Sequence, residues 1–286
     1  MTFDFQGSGT SSFEEKGKDF LVSGAKKTSQ GNLHEAIEDF AQAIALDSNL
    51  VVAYSNRCFV YIQLEDYQHA IDDCTQALQR NPNNTEAYLN RGIAYYRKGG
   101  YQAAVADYNQ VTRFNPVDYR AYYNRGLARF EQEDYQGAIA DYNQALSQIS
   151  QNNQELATIY NDRGLAYLQQ KNFSEATLDF SKAIRFNAND TSRAYYNRGC
   201  ACHRQGDYVG AIRDFTQSLR NQPDQAEAYI NRGLVRYQLG YQQAAFKDLQ
   251  QAAKCYCDQG QMAAYRQTLN LLQKLRQPSP ISVEVA

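Results

Sequence analysis

The chain is 286 residues long and carries 29 Lys and Arg against 31 Asp and Glu, a formal net charge of -2. That balance leaves no basic field to hold nucleic acid or an anionic membrane surface. Six cysteines do not make a disulfide-stapled secreted domain of a chain this long, no apolar run of about 18 residues spans a membrane, and no basic-then-apolar leader opens the N-terminus, so a cytoplasmic protein in a reducing compartment is expected.

Residues 1–12 read as a flexible N-terminus. From residue 13 to about 259 one grammar recurs, marked by Asn56-Arg57-Cys58, Asn90-Arg91-Gly92, Asn124-Arg125-Gly126, Asp162-Arg163-Gly164, Asn197-Arg198-Gly199 and Asn231-Arg232-Gly233. The steps between these trios are 34, 34, 38, 35 and 34 residues. Each copy has an apolar-periodic stretch, a break, a second periodic stretch and a polar connection, as in residues 119–149 with their break "EQEDY". Asp134 stands where an N-cap would open the second helix, and Gly31-Asn32, Gly99-Gly100 and Gly206-Asp207 occupy equivalent breaks. Pro82, Pro116 and Pro223 follow second helices, where proline stops a helix. The junction "SQISQNNQELAT" carries four extra residues, about one turn, that a longer second helix would absorb. The last copy reads "LGYQQA" at its break, which predicts an irregular turn there. Residues 261–276, with Met262, Tyr265, Leu269 and Leu272 as an apolar stripe, read as an amphipathic capping helix, and 277–286 as a disordered tail.

Helix–turn–helix copies of about 34 residues are the period of a solenoid, and the pattern resembles the tetratricopeptide-repeat family. Seven copies start near residues 17, 51, 85, 119, 157, 192 and 226. The family's small residue in the second helix is matched by Ala36, Ala70, Ala104, Ala138, Ala176, Ala211 and Ala245. The large residue four further on is matched by Phe40, Cys74, Tyr108, Tyr142, Phe180, Phe215 and Leu249. The resemblance implies an all-α, right-handed α-solenoid closed by a C-terminal capping helix. It also implies a non-catalytic scaffold that binds an extended peptide or a helix of a partner protein in its concave groove, in the manner of an assembly factor. A self-associating structural protein, joined through its repeat surfaces, is the alternative.

The trio divides by chemistry. Its glycine marks a close approach of two helices. Its arginine needs a counter-charge, since an unpaired charge is expensive between packed helices. Arg57, Arg91, Arg125, Arg163, Arg198 and Arg232 recur with Asp73, Asp107, Asp141, Asp179, Asp214 and Asp248, and the first copy adds Asp39. Pairing within a repeat leaves Asp39 over; pairing with the preceding repeat leaves Asp248. The former is preferred. The residue before each arginine forms a column, Asn56, Asn90, Asn124, Asp162, Asn197 and Asn231, which the resemblance places on the inner wall. A carboxamide offers both donor and acceptor and suits a peptide backbone of any sequence. Phe59, Ile93, Leu127, Tyr96, Phe130 and Tyr237 would take side chains beside it. The competing reading is that each amide bonds to backbone within its own solenoid.

A narrower family function fails on the residues. Tetratricopeptide domains that grip Hsp70/Hsp90-type C-terminal tails need Lys and Asn on the first helix, Asn on the third, and Lys and Arg on the fifth. Here those sites read Leu21, Ala25, Asn56, Glu86 and Asn90, so only Asn56 matches and such tails are disfavoured. No catalytic grouping appears among His34, His69 and His203. Cys200 and His203 share a helix face but give only two metal ligands, so neither cofactor nor metal is expected. Cys58 and Cys74 replace the usual glycine and aromatic of one repeat and read as packing residues.

Overall fold

The computed structural model describes residues 9–150, 155–187 and 191–276. Among them are fifteen α-helices and no strand. They are α1 (Gly9–Ser29), α2 (Leu33–Leu46), α3 (Val51–Gln63), α4 (Tyr67–Arg80), α5 (Thr85–Arg97), α6 (Tyr101–Phe114), α7 (Tyr119–Glu131) and α8 (Tyr135–Gln148). After them come α9 (Leu156–Gln169), α10 (Phe173–Phe186), α11 (Ser192–Gln205), α12 (Tyr208–Asn221), α13 (Ala226–Gln238), α14 (Gln242–Asp258) and α15 (Met262–Arg276). The chain divides into two compact bodies at Ile149 and Ser150. The first holds repeats one to four (α1–α8); the second holds repeats five to seven and α15.

Local chemistry sets the helix ends. Side chains of Asp66, Asn84, Asp118, Asp134 and Asp207 accept backbone N–H bonds at the starts of α4, α5, α7, α8 and α12, each satisfying a donor the helix cannot. First helices end in a left-handed residue, Gly31 at φ +81° and Gly99 at φ +80° among them. Three repeats place Glu65, Glu133 and Lys171 in that conformation at φ 60°, 61° and 62°. A side chain there is strained against its own backbone. Glu133→Gly is therefore expected to stabilise the protein by up to about 1 kcal/mol, read as a rise in melting temperature.

Packing follows the repeated small and large residues of the second helices. Ala36, Ala70, Ala104, Ala138, Ala176, Ala211 and Ala245 are all 0% exposed. One turn on, Phe40, Tyr108, Tyr142, Phe180, Phe215 and Leu249 fill the space between the paired helices and are buried. Within the first body α1 touches α3, α3 touches α5 and α5 touches α7; within the second, α9 touches α11 and α11 touches α13. Second helices show no comparable contact with one another among the described residues. In a curved stack the helices that meet lie on the inside, so in each body the first helices form the inner face.

Four expectations need correction or relocation. α1 begins at Gly9, inside the segment 1–12 read as flexible, while residues 1–8 and the tail 277–286 lie outside the described residues. The four extra residues do not lengthen α8, which has the same 14 residues as α4 and α6. Ile149, 7% exposed and extended at φ -77°, ψ 141°, ends the helix instead. The "LGYQQA" turn is regular: Gly240 N donates to Tyr237 O at 2.9 Å and Tyr241 N to Arg236 O at 2.9 Å, the pattern of Gly99 and Gly100. What changes is the side chain, since Tyr241 is 60% exposed. On α15, Thr268 and Leu272 are buried while Met262 and Leu269 are exposed. Thr268 tolerates burial because its hydroxyl donates to Ala264 O at 2.9 Å.

Candidate functional site

The arginine–aspartate pairs frame the site. Each joins the two helices of one repeat: Arg57 Nε to Asp73 Oδ2 at 2.6 Å, Arg91 Nε to Asp107 Oδ2 at 2.9 Å, Arg125 Nη2 to Asp141 Oδ1 at 2.6 Å. Arg163 Nε meets Asp179 Oδ2 at 2.6 Å, Arg198 Nε meets Asp214 Oδ2 at 2.7 Å and Arg232 Nη2 meets Asp248 Oδ1 at 2.7 Å. In Arg91, Arg198 and Arg232 the remaining nitrogen reaches back one repeat to a neutral acceptor. Arg91 Nη1 bonds Thr75 Oγ1 at 3.1 Å, Arg198 Nη1 bonds Ser181 Oγ at 2.9 Å and Arg232 Nη1 bonds Thr216 Oγ1 at 3.0 Å. One planar fork thus fixes the helix pair and stitches it to its predecessor. Bonds to Asp107 and Asp214 raise the pKa of Arg91 and Arg198 despite burial. Asp107 answers mainly to burial, which lifts its carboxyl above the ordinary carboxylate value while Arg91 pulls the other way. Asp39, which has no arginine in its repeat, accepts from Lys27 Nζ at 2.8 Å and Ser23 Oγ at 2.6 Å.

Held in this frame, the amide column behaves differently in the two bodies. In the second body it is closed. Asn197 Nδ2 donates to Asn161 Oδ1 at 2.8 Å, Asn161 Nδ2 to Asp162 Oδ1 at 3.1 Å, and Asn231 Nδ2 to the Tyr196 hydroxyl at 3.0 Å. Asp162 and Asn197 are buried. In the first body Asn56, Asn90 and Asn124 are half-buried, and the described residues give these amides no hydrogen bond.

The cause is one position per repeat. Both acceptors in the second body, Asn161 and Tyr196, stand two residues before the arginine of the preceding repeat. The corresponding residues facing Asn56, Asn90 and Asn124 are Leu21, Ser55 and Leu89. Leucine accepts nothing, and Ser55 Oγ is turned to Asn84 Nδ2, which it meets at 3.0 Å. The first body therefore leaves three amides on its inner face with unused donors and acceptors. Beside them, Phe59 and Val52 are 45% and 52% exposed, and Ile93, Tyr96, Leu127 and Phe130 are half-buried. Arg120 spans the rim from Asp118 at 2.7 Å to Glu86 at 2.5 Å, one cation against two carboxylates. In the second body Tyr237 is engaged by the capping helix, its hydroxyl donating to Leu275 O at 3.2 Å.

Cys58 and Cys74 are not independent packing residues: they form a disulfide with Cα atoms 5.6 Å apart. In five other repeats the same two positions hold a glycine and the ring lying against it, such as Gly92 with Tyr108 and Gly126 with Tyr142. Two side chains in that register face each other, and cysteine at both can bond. With two of the six cysteines bonded to each other, the cysteine content does not by itself point to a reducing compartment. Cys200 and His203 do not converge: Cys200 Sγ lies 3.7 Å from Asn231 Nδ2, whereas His203 Nε2 pairs with Gln238 Oε1 at 3.1 Å.

The buried thiol and phenol groups of the second body carry a pH dependence. Burial first, then Asp214 and Asp207, pushes the Cys202 thiol from its ordinary 9.0 up to about 11. Burial and the hydrogen bond to Glu227 push the Tyr256 hydroxyl from 10.0 to about 12. The unfolded chain releases these protons at the lower values, so between about pH 9 and 12 it binds fewer protons than the folded chain and stability falls as pH rises. The expected loss is about 1–2 kcal/mol per group. Urea titrations at pH 8 and pH 11 check it, with Cys202→Ala reducing the slope.

The comparisons agree with this architecture. Family models described as tetratricopeptide repeat match residues 51–84, 89–154, 157–190 and 192–225, more than half of the chain. Among solved structures, a tetratricopeptide repeat protein from Parabacteroides merdae is 20% identical with a TM-score of 0.65, covering 90% of this chain and 100% of its own. YrrB, described as a TPR protein with an unusual peptide-binding site, is 20% identical with a TM-score of 0.57, covering 70% and 97%. MamA is 25% identical with a TM-score of 0.54, covering 60% and 92%. No curated protein matches the chain significantly. With fourteen of its fifteen described helices paired in register and its repeat models covering most of both bodies, the chain belongs to the tetratricopeptide-repeat family.

Proposed function

We propose that the protein is a non-catalytic scaffold that holds an extended segment of a partner protein on the inner face of its first body. The observation that carries this reading is the set of half-buried amides of Asn56, Asn90 and Asn124, which the described residues give no hydrogen bond. Amides kept in this state on a surface flanked by apolar side chains suit a peptide backbone, which brings one donor and one acceptor per residue. The rings and aliphatic chains beside them suit alternate side chains of the bound segment. The rim sets Arg120 against both Glu86 and Asp118 and so keeps one negative charge, and a neutral, apolar segment fits better there than an acidic one. The peptide-binding description of YrrB supports the reading by analogy of fold.

The test compares three full-length baits in native lysate: wild type, Asn56→Ala/Asn90→Ala/Asn124→Ala, and Asn197→Ala/Asn231→Ala. The first triple removes no internal hydrogen bond among the described residues, so it is expected to fold as wild type by circular dichroism. It is expected to lose its partner by about 100-fold in affinity, at about 1 kcal/mol per amide. The second-body variant is expected to retain the partner. Equal capture by wild type and the first triple contradicts the proposal.

A further inference from the structure

Across the seven repeats the first helix meets the second at one register, sixteen residues apart. In five repeats the meeting is a glycine against a buried ring. A Cβ added at Gly24, Gly92, Gly126, Gly164 or Gly199 would stand 2.7, 2.6, 2.6, 2.7 or 2.8 Å from Phe40, Tyr108, Tyr142, Phe180 or Phe215. The seventh repeat uses Gly233 and Leu249, at 3.4 Å. Repeat two alone spans this register covalently, through Cys58 and Cys74, each 0% exposed. Two cysteine side chains are smaller together than a tyrosine ring and do not fill this layer as a ring does, so the bond holds together what packing holds in the neighbouring repeats. The layer lies directly beneath the inner face, because Asn56, Arg57, Cys58 and Phe59 are consecutive on α3.

We infer that the Cys58–Cys74 bond takes the place of the glycine–ring contact and makes the rigidity of repeat two, and so the grip of Asn56 and Phe59 on a partner, depend on redox state. The binding half of this inference rests on the function proposed above. In forming the bond each thiol gives up one proton and one electron. A small-molecule disulfide of the oxidised-glutathione class takes both electrons and both protons, and its own S–S bond opens to two thiols. A dithiol reductant reverses the step. Since neither sulfur is exposed, exchange passes through local opening of α3 from α4.

The test uses the full chain, oxidised with oxidised glutathione or reduced with dithiothreitol. Alkylation after denaturation, read by mass spectrometry, is expected to modify four of the six cysteines in the oxidised chain (Cys200, Cys202, Cys255 and Cys257) and all six after reduction. Reduction is expected to lower the melting temperature by about 5 °C or more. It should also speed hydrogen exchange in α3 and α4 by about tenfold or more, with α5–α8 changing less. Cys58→Gly/Cys74→Tyr, which reinstates the contact of the neighbouring repeats, is expected to keep the oxidised behaviour under both conditions. Six modified cysteines in the oxidised chain, or equal melting and exchange in both states, would overturn the inference. These readings need no partner, so they stand apart from the peptide-holding function. Where a partner is captured, equal affinity in both redox states would overturn the coupling to binding.

Discussion

Arg198→Ala is expected to destabilise the second body by about 3–5 kcal/mol. Asp214 is 0% exposed and takes two short bonds from Arg198, at 2.7 and 2.8 Å. Removing the guanidinium strands that carboxylate between α11 and α12, with Arg213 3.7 Å away on a side chain that is itself 68% exposed. It also strips Ser181 of its donor, so the stitch to repeat five is lost. Arg125→Ala should cost less. Asp141 keeps a second arginine, because Arg129 Nη1 lies 2.9 Å from its Oδ2. The double change Arg198→Met/Asp214→Leu is expected to recover much of the loss, since a buried pair contributes less than either half costs when left alone. Urea unfolding of the variants checks the order; equal losses for Arg198→Ala and Arg125→Ala would count against it.

Gly92→Ala is the second large effect. Its new methyl would stand 2.6 Å from Tyr108 Cε1 and 2.9 Å from Cζ, against a ring that is 1% exposed and enclosed by α5 and α6. The helices must separate or the ring must leave its rotamer, at about 1–3 kcal/mol or more. That outweighs the fraction of a kcal/mol alanine gains over glycine in a helix. Gly233→Ala offers the contrast: Ala245 O and Asp248 Cβ stand at 3.2 Å and Leu249 Cγ at 3.4 Å, so α13 and α14 need part by only a few tenths of an ångström. A small shift accommodates it, and the helix propensity gain brings the net effect near zero. Thermal melts distinguish the two, and Tyr108→Leu in the Gly92→Ala background should restore most of the difference.

How much of this is legible in the sequence depends on whether the signal repeats. The glycine–ring register, the aspartate caps and the arginine–aspartate partnership recur often enough to form an internal alignment, so the packing of an average repeat can be read directly. The state of the amide column cannot be read from the column itself. Asn124 and Asn231 occupy the same position, yet one faces Leu89 and the other Tyr196 in the preceding repeat. The deciding residue is not part of the family pattern, and its importance appears once the first helices are seen to touch. The disulfide was hidden for a related reason. Cys58 and Cys74 each look like a single lapse from the pattern, whereas the register that places Gly92 against Tyr108 makes them one feature. Likewise the stripe on α15 follows ideal helical spacing, but Thr268 enters the core by satisfying its own hydroxyl, which hydropathy does not register.

The most direct measurement of the inner-face function is site-specific photo-crosslinking in native lysate, with the photoreactive residue placed at Phe59 on α3 or at Val209 on α12, 45% and 75% exposed. The result expected is a crosslink from Phe59 that maps to one short segment of one partner, disappears in the Asn90→Ala/Asn124→Ala background, and has no counterpart from Val209. A partner captured from Val209 instead, or from Phe59 with undiminished yield when both amides are gone, would contradict a peptide-holding inner face.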